Sequence, residues 1–226
     1  EVAALLETGR GTVRMATIAP ERPGSLESIR LMVEAGCLAA VGHTDADYDT
    51  TVAAIEAGAR GATHLFNAMP GLKHRAPGPV LALWSDPRVT VELVMDGVHV
   101  RPELVAWVMA TVPGRVALVT DAMAAAAHAD GDYILGELAV EVRDGVARLA
   151  GLDTIAGSTL TLDQAVRNCV AAGVGLVDAV RAASTVPADY LGLESVGRIA
   201  PGNRADLVVL DDALHASRVM WRGAWQ

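Results

Sequence analysis

What most constrains this chain is an alternation that runs through its first two-thirds. Near-continuous apolar runs recur at residues 11–19 (GTVRMATIA), 37–41 (CLAAV), 61–65 (GATHL), 89–95 (VTVELVM) and 115–120 (RVALVT). Strands apolar along their whole length are buried on both faces, which implies a parallel sheet covered by helices. The intervening segments carry helix signals. Ser25 reads as an N-cap, with Ile29, Met32 and Val33 on the inner face and Gly36 as the stop. A helix follows from Asp47 with Tyr48, Val52 and Ile55 inward, ending near Gly58. Pro102 suits the first turn of another, with Leu104, Val105, Val108 and Met109 inward. A closed barrel of eight such units takes ~250 residues, so five units predict part of such a barrel or an open sheet.

Beyond Asp121 the pattern changes. Residues 122–132 read as a loop, and residues 138–149 alternate around Asp144-Gly145, a two-residue hairpin signal. Thr161 and Gln164 form a capping-box pattern ahead of a helix with Leu162, Val166, Cys169 and Val170 inward. A second helix runs from 176 to about 183, and residues 197–210 and 218–221 read as turn, strand and final strand. The chain begins at Glu1 inside an apparent helix (EVAALLETG), so a further segment upstream is expected.

The 226 residues suffice for a full core, and the formal charge of −9 argues against nucleic acid as a partner. No apolar run reaches the ~20 residues that span a bilayer, and no basic-then-apolar leader is present, so no membrane partner is expected and a cytoplasmic location fits best. Cys37 and Cys169 make no disulfide framework and read as buried small residues.

Polar residues gather where the apolar runs end, the edge at which parallel α/β sheets build their sites. His43 follows one run within Gly42-His43-Thr44, and His64 lies at the end of the next. Adjacent parallel strands lie ~4.8 Å apart, so two such imidazoles can meet on one ion at the ~2.0–2.1 Å zinc–nitrogen distance. Either histidine alone is more often an ordinary hydrogen-bonding residue. Together, with Asp121 at a third strand end, they point to a metal-assisted hydrolase. Asp121 either caps the segment after it or moves a proton between water and a leaving group. His99, after Asp96-Gly97, either caps a turn or polarises a carbonyl. Arg75 is a solvated charge or, beside Asn67 and the backbone amide of Ala68, a phosphate grip. Ile155-Ala156-Gly157-Ser158 reads as an ordinary helix start, the alternative being amides that receive an anion or hydroxyl. Glu21 is a lone acid or a site residue, with the structural role preferred. His74, His128 and His215 lie in loops without a convergent pattern. Two histidines and an aspartate suit zinc, iron or manganese.

With these residues in place, the chain resembles the N-acetylglucosamine-6-phosphate deacetylases of the amidohydrolase superfamily. The resemblance rests on TIAPE (17–21), VGHTDADY (41–48), ATHLFNAMP (62–70), RAPG (75–78), DGVHV (96–100), LVTDAM (118–123), AGSTLT (156–161) and GRIAPGNRADLVVL (197–210), in the family's order. It implies an α/β fold, a partial (β/α)8 TIM-like barrel of the metal-dependent hydrolase type with remnants of a small β-domain. Barrel strand-helix units would occupy 1–130, a β-hairpin insertion 131–150, the final barrel helices 151–195 and part of the β-domain 196–226. By the same resemblance His43 and His64 bind the catalytic divalent ion, zinc first, and Asp121 is the general acid/base. Asn67, Ala68 and Arg75 contact substrate, Arg75 at the phosphate and across a homodimer interface. Asp96 and His99 are substrate contacts, and the Ile155, Ala156, Gly157 and Ser158 turn lies over the acetyl end, which reverses the preference for a plain helix start. The family's third protein ligand is a glutamate in a His-Leu-Glu-Gly-Pro motif that is not found in these residues, and Glu21 belongs to the later Ala-Pro-Glu motif. The expected substrate is a small amino-sugar phosphate. The competing readings are another amidohydrolase, acting on a different N-acyl sugar or a cyclic amide, and a non-catalytic sugar-phosphate-binding remnant.

Overall fold

The computed structural model describes residues 1–226. The apolar runs form five parallel strands, β1 (Met15–Ile18), β2 (Leu38–Val41), β3 (Gly61–Ala62), β4 (Thr90–Val94) and β5 (Val116–Val119), and these lie in the sheet in sequence order. The register sets Ile18 opposite Val41, Val41 opposite Ala62, and Ala62 opposite Val91. Ala39, Ala40 and Val41 on β2 are buried, as are Val91, Leu93 and Val94 on β4. β2 and β4 are thus buried along most of their length. The edge strand β1 is not, with Thr17 exposed and Met15, Ala16 and Ile18 half-buried, contrary to the burial on both faces expected for its run. The helices α1 (Val2–Gly9), α2 (Ser25–Glu34), α3 (Tyr48–Ala57), α4 (Gly78–Ser85) and α5 (Pro102–Thr111) alternate with them. Then come β6 (Gly131–Leu135), β7 (Leu138–Arg143), β8 (Val146–Leu149), α6 (Leu162–Ala171), α7 (Leu176–Ala183), α8 (Thr185–Tyr190), β9 (Leu207–Leu210), β10 (Ala216–Trp221) and β11 (Ala224–Trp225).

Two compact units divide the chain. One comprises residues 1–93, 115–117 and 190–192, and its core holds Ile29, Ile55, Leu65, Val80, Leu83 and Val91. The other comprises 94–114, 118–189 and 193–226. It contains the antiparallel sheet β6-β7-β8, over which Met123, Ala125, Val140, Val142, Ala147 and Ala156 bury together.

Several local expectations are corrected. Residues 61–65 predict a strand, but β3 stops at Ala62 because His64 and Phe66 adopt left-handed backbones, with φ 31° and 80°, that no strand accommodates. Ser25 is not the N-cap. Gly24 is, and the Ser25 hydroxyl instead donates to the Ala19 carbonyl at 2.8 Å. Thr161 occupies the N-cap position of α6 but makes no side-chain cap bond, and Gln164 turns to Asn168 at 2.6 Å instead of closing a capping box. Val33 and Leu162 are 47% and 37% exposed, so the inner faces are narrower than the pattern implied. Gly131 and Asp132, expected in a loop, open β6, and α4 (GPVLALWS) is a helix that its uniform apolarity concealed.

The Asp144-Gly145 hairpin forms as expected, with φ 51° and 74° at the two turn residues. On β4, Glu92 is 5% exposed and accepts from the Tyr190 hydroxyl at 3.3 Å. Burial first, and then the Glu92 carboxylate, push the Tyr190 phenol far above its ordinary value. Gly61 makes room for this contact, since a Cβ there would lie 1.7 Å from the Tyr190 hydroxyl and 2.8 Å from the Ala40 Cβ. Gly61→Ala therefore overpacks the unit's interior and costs about 1–3 kcal/mol. Urea denaturation midpoints measure the loss, and an unchanged midpoint contradicts it.

Candidate functional site

The two strand-end histidines meet. Gly42 makes this possible, because a Cβ there would lie 2.7 Å from the Thr63 Cβ and 3.1 Å from the Thr17 Cγ2. The Thr17 and Thr63 hydroxyls bond to each other at 2.8 Å. Directly after Gly42 the backbone turns left-handed at His43, φ 48°, and His64 does the same after β3. Their Nε2 atoms come within 2.9 Å, with the rings edge-on at 74°. His64 is buried, while His43 is exposed. Strained φ values for non-glycine residues cluster where chemistry is done. Ala68 (48°) and Asp121 (50°) share this conformation with the histidines.

The carboxylate of Glu21 holds the turn after His43. It accepts from the Thr44 hydroxyl and, at 2.9 Å, from the Asp45 N–H. Thr44 N–H donates to the Ala68 carbonyl at 3.0 Å, tying this turn to the Asn67-Ala68 loop. Burial alone would raise the Glu21 pKa, but the hydrogen bonds from Thr44 and Asp45 outweigh it and hold it below the usual glutamate value. Glu21 thus keeps the structural role preferred from sequence.

In the second unit, Asp96 orients His99. Its Oδ2 accepts from His99 Nδ1 at 2.6 Å, and its Oδ1 accepts from the backbone N–H groups of Val98 and His99, each at 2.8 Å. Burial opposes this charge, yet the hydrogen bonds from His99 and Val98 win and lower the Asp96 pKa. With Nδ1 committed, Nε2 is the ring nitrogen that faces Asp121, 3.7 Å from its Oδ2. The Asp121 backbone is clamped by the residue 155–158 turn, as Ser158 N–H donates to the Asp121 carbonyl at 2.7 Å and Met123 N–H to the Ser158 carbonyl at 3.0 Å. Gly157 admits this close approach, since a Cβ would sit 3.1 Å from the Asp121 carbonyl oxygen. The turn is no helix start, for α6 begins only at Leu162.

The remaining predicted residues are placed as follows. Asn67 donates its amide to the carbonyls of His64 and Leu65, at 3.2 and 3.3 Å, so its amide hydrogens brace the loop. Arg75 is exposed and, with Lys73, borders a cavity of about 530 Å³ that Asp45, Asp47 and Asp49 also line. Ile155, Gly157 and Ser158 border another of about 440 Å³, together with Asp96, Gln164 and Asn168. Ser158 is buried, and its hydroxyl donates to the Thr120 carbonyl. Asn168, which no sequence signal marked, donates to the Met95 carbonyl at 2.7 Å and so steadies the strand end that precedes Asp96.

Two ligand atoms ~2.0–2.1 Å from one zinc ion lie roughly 2.9–3.4 Å apart at angles between a right angle and the tetrahedral one. The 2.9 Å separation of the two Nε2 atoms therefore fits neighbouring positions on a single divalent ion. No group of three or more His, Cys, Asp or Glu side chains is arranged to hold a metal.

A five-stranded parallel sheet flanked by helices, with imidazoles and carboxylates after its strands, defines an α/β protein of the class that gathers its polar side chains at the strand C-termini. The amidohydrolase family model matches residues 3–225, and the chain belongs to that family. The structure of N-acetyl-D-glucosamine-6-phosphate deacetylase from Mycobacterium smegmatis in complex with N-acetyl-D-glucosamine-6-phosphate superimposes with a TM-score of 0.96 at 53% identity, covering 99% of this chain and 60% of that one. N-acetylgalactosamine-6-phosphate deacetylase of Escherichia coli O157:H7 is 40% identical over 99% of this chain and 59% of its own length. N-acetylglucosamine-6-phosphate deacetylase of Bos taurus is 38% identical over 96% of this chain and 56% of its own. The chain thus spans somewhat under two-thirds of the length of these relatives. The α/β fold expected from the sequence, part of a (β/α)8 barrel, is the one found.

Proposed function

We propose that this chain is part of a metal-dependent amidohydrolase that converts N-acetylglucosamine 6-phosphate and water to glucosamine 6-phosphate and acetate. The observation that carries the reading is the His43–His64 pair, whose Nε2 atoms lie 2.9 Å apart and fit one divalent ion. Zinc is the first choice, with iron or manganese also compatible. When bound, such an ion supplies Lewis-acid activation of the water and the amide carbonyl. Asp121 takes the proton of the attacking water and returns it to the amine nitrogen as the C–N bond breaks. His99, held by Asp96, presents Nε2 to the substrate. Arg75 and the Ala68 amide hold the phosphate, and the Ile155, Ala156, Gly157 and Ser158 turn covers the acetyl end. Asn67 braces the loop that carries them through its bonds to the His64 and Leu65 carbonyls, and not by touching the phosphate. On this reading the protein is a cytoplasmic homodimer that binds neither nucleic acid nor membrane. The charge of −9 supports the absence of nucleic acid, and no helix is long and apolar enough to cross a bilayer.

The 53% identity to a relative named for N-acetylglucosamine 6-phosphate favours that substrate. The 40% identity to a relative named for the galactose epimer supports N-acetylgalactosamine 6-phosphate as the second reading. Acetate release from the two epimers, each with and without the phosphate, separates them on the protein that carries this chain. Arg75→Ala is expected to raise KM for the phosphorylated sugar by roughly 10–100-fold, as loss of a charge-assisted contact does. The unphosphorylated sugar should feel little change, and equal losses on both remove Arg75 from the phosphate.

A further inference from the structure

An exposed acid has no evident reason to be fixed, yet both oxygens of Glu21 are engaged on one short turn. Oε2 takes the Thr44 hydroxyl and Oε1 the Asp45 N–H, the two residues that follow His43. Thr44 is 2% exposed, its hydroxyl also accepts from Ala46 N–H at 3.0 Å, and its own N–H is bound to Ala68. The acid is itself held, because the chain turns tightly after Ala19. Arg22 N–H returns to the Ala19 carbonyl at 3.2 Å, and the Ser25 hydroxyl to the same oxygen at 2.8 Å.

The bracket explains how His43 keeps its conformation. A histidine at φ 48° is strained relative to the extended or right-handed backbone. Gly42 before it has no side chain to pack and its N–H reaches the Ile18 carbonyl at 3.4 Å, whereas the shorter bonds that hold the turn lie after it. Glu21 supplies that restraint from the end of β1, with Thr44 as the connecting group.

We propose that Glu21 is a positioning residue that presets the His43 imidazole against His64, so that divalent metal binds a formed pair and not a mobile ring. The proposal rests on reading His43 and His64 as metal ligands. Glu21 itself gives the ion no ligand, since its oxygens are already occupied by the turn. Its contribution is the orientation of a ligand through the backbone, and partners of that kind carry a substantial part of a metal site's affinity.

The test compares the protein that carries this chain with its Glu21→Ala, Glu21→Gln and Thr44→Val variants, with His43→Ala as the ligand control. Glu27→Ala serves as the charge control, since Glu27 is an exposed acid paired with Arg30 at 3.4 Å. Zinc affinity is read by competition with a chromophoric chelator. Glu21→Ala is expected to weaken it about 10–100-fold, the range for lost outer partners of a ligand. Glu21→Gln should fall between, because its amide keeps one acceptor oxygen. Thr44→Val should weaken binding, and Glu27→Ala should leave it unchanged. The melting temperature of metal-free Glu21→Ala should move by only about 2–4 °C. Zinc binding by Glu21→Ala at wild-type affinity overturns the proposal, and so does a loss of affinity that Glu27→Ala reproduces. If Glu21→Ala does not fold, Glu21→Gln and Thr44→Val decide by the same criterion. Histidine side-chain nitrogen spectra of the metal-free protein give a second readout. Should the wild-type protein that carries this chain take up no zinc, the metal reading fails by itself, while the spectra still judge the positioning. His43 resonances that shift in Glu21→Ala support it, and unchanged ones overturn it.

Discussion

Asp121→Asn lowers kcat by about 10²–10⁴-fold while bound metal and fold are retained, the range that general acid–base catalysis supplies. Asparagine matches aspartate in shape, so the change removes proton capacity and little else. The features that hold this position are backbone ones, namely the left-handed φ of 50° and the Ser158 N–H on its carbonyl. Asparagine tolerates that conformation about as well as aspartate. The side chain is 41% exposed, so no buried charge is lost. KM should change far less than kcat, because a group whose proton moves in the reaction stabilises the transition state more than the bound substrate. Steady-state kinetics on the protein carrying this chain, with metal content measured in parallel, provide the check. Full activity in Asp121→Asn would remove the residue from proton transfer, and loss of metal would make it a ligand instead.

His64→Ala abolishes stoichiometric divalent-metal binding, with an expected loss of affinity exceeding roughly 100-fold, the upper range for outer partners of a ligand. Of the two ligands this chain supplies, only the exposed His43 then remains. The two histidines should differ in their structural cost. His64 is 6% exposed, so its truncation also empties packed space and lowers stability in the metal-free state. His43 is exposed, and His43→Ala should lose the metal with little loss of stability. Zinc titration and denaturant midpoints measured on both variants separate the two effects. Undiminished zinc affinity in either variant refutes the ligand assignment.

Much of this was legible because it was local. An unbroken apolar run states burial on both faces, and five such runs implied a parallel sheet. Their order, and the exposure of the edge strand β1, came from the structure. His43 and His64 stood out because each follows an apolar run, and neighbouring strands leave few places for such side chains to go. The 3.6-residue signal failed where composition flattened it. α4 is apolar around most of its circumference, so it offered no face to detect. The strand expected over 61–65 shrank to Gly61–Ala62 because the left-handed backbone that brings His64 to its partner cannot continue a strand. Asn168 looked like one more polar helix residue, and its contact with the Met95 carbonyl spans 73 positions.

The sequence alone determined the α/β class and marked His43, His64 and Asp121 as candidates at the ends of apolar runs, since each depends on the residues immediately around it, while the strand order came from the tertiary structure. The tertiary structure decided how those side chains are held. It paired Glu21 with the turn after His43, set Asp96 behind His99, and clamped the Asp121 backbone against the turn at Ser158. Asp96 and His99 are only three residues apart, but the Glu21 and Ser158 pairings join residues distant in the chain. They follow from register and from a few left-handed backbone positions, and no local pattern of residue types encodes either.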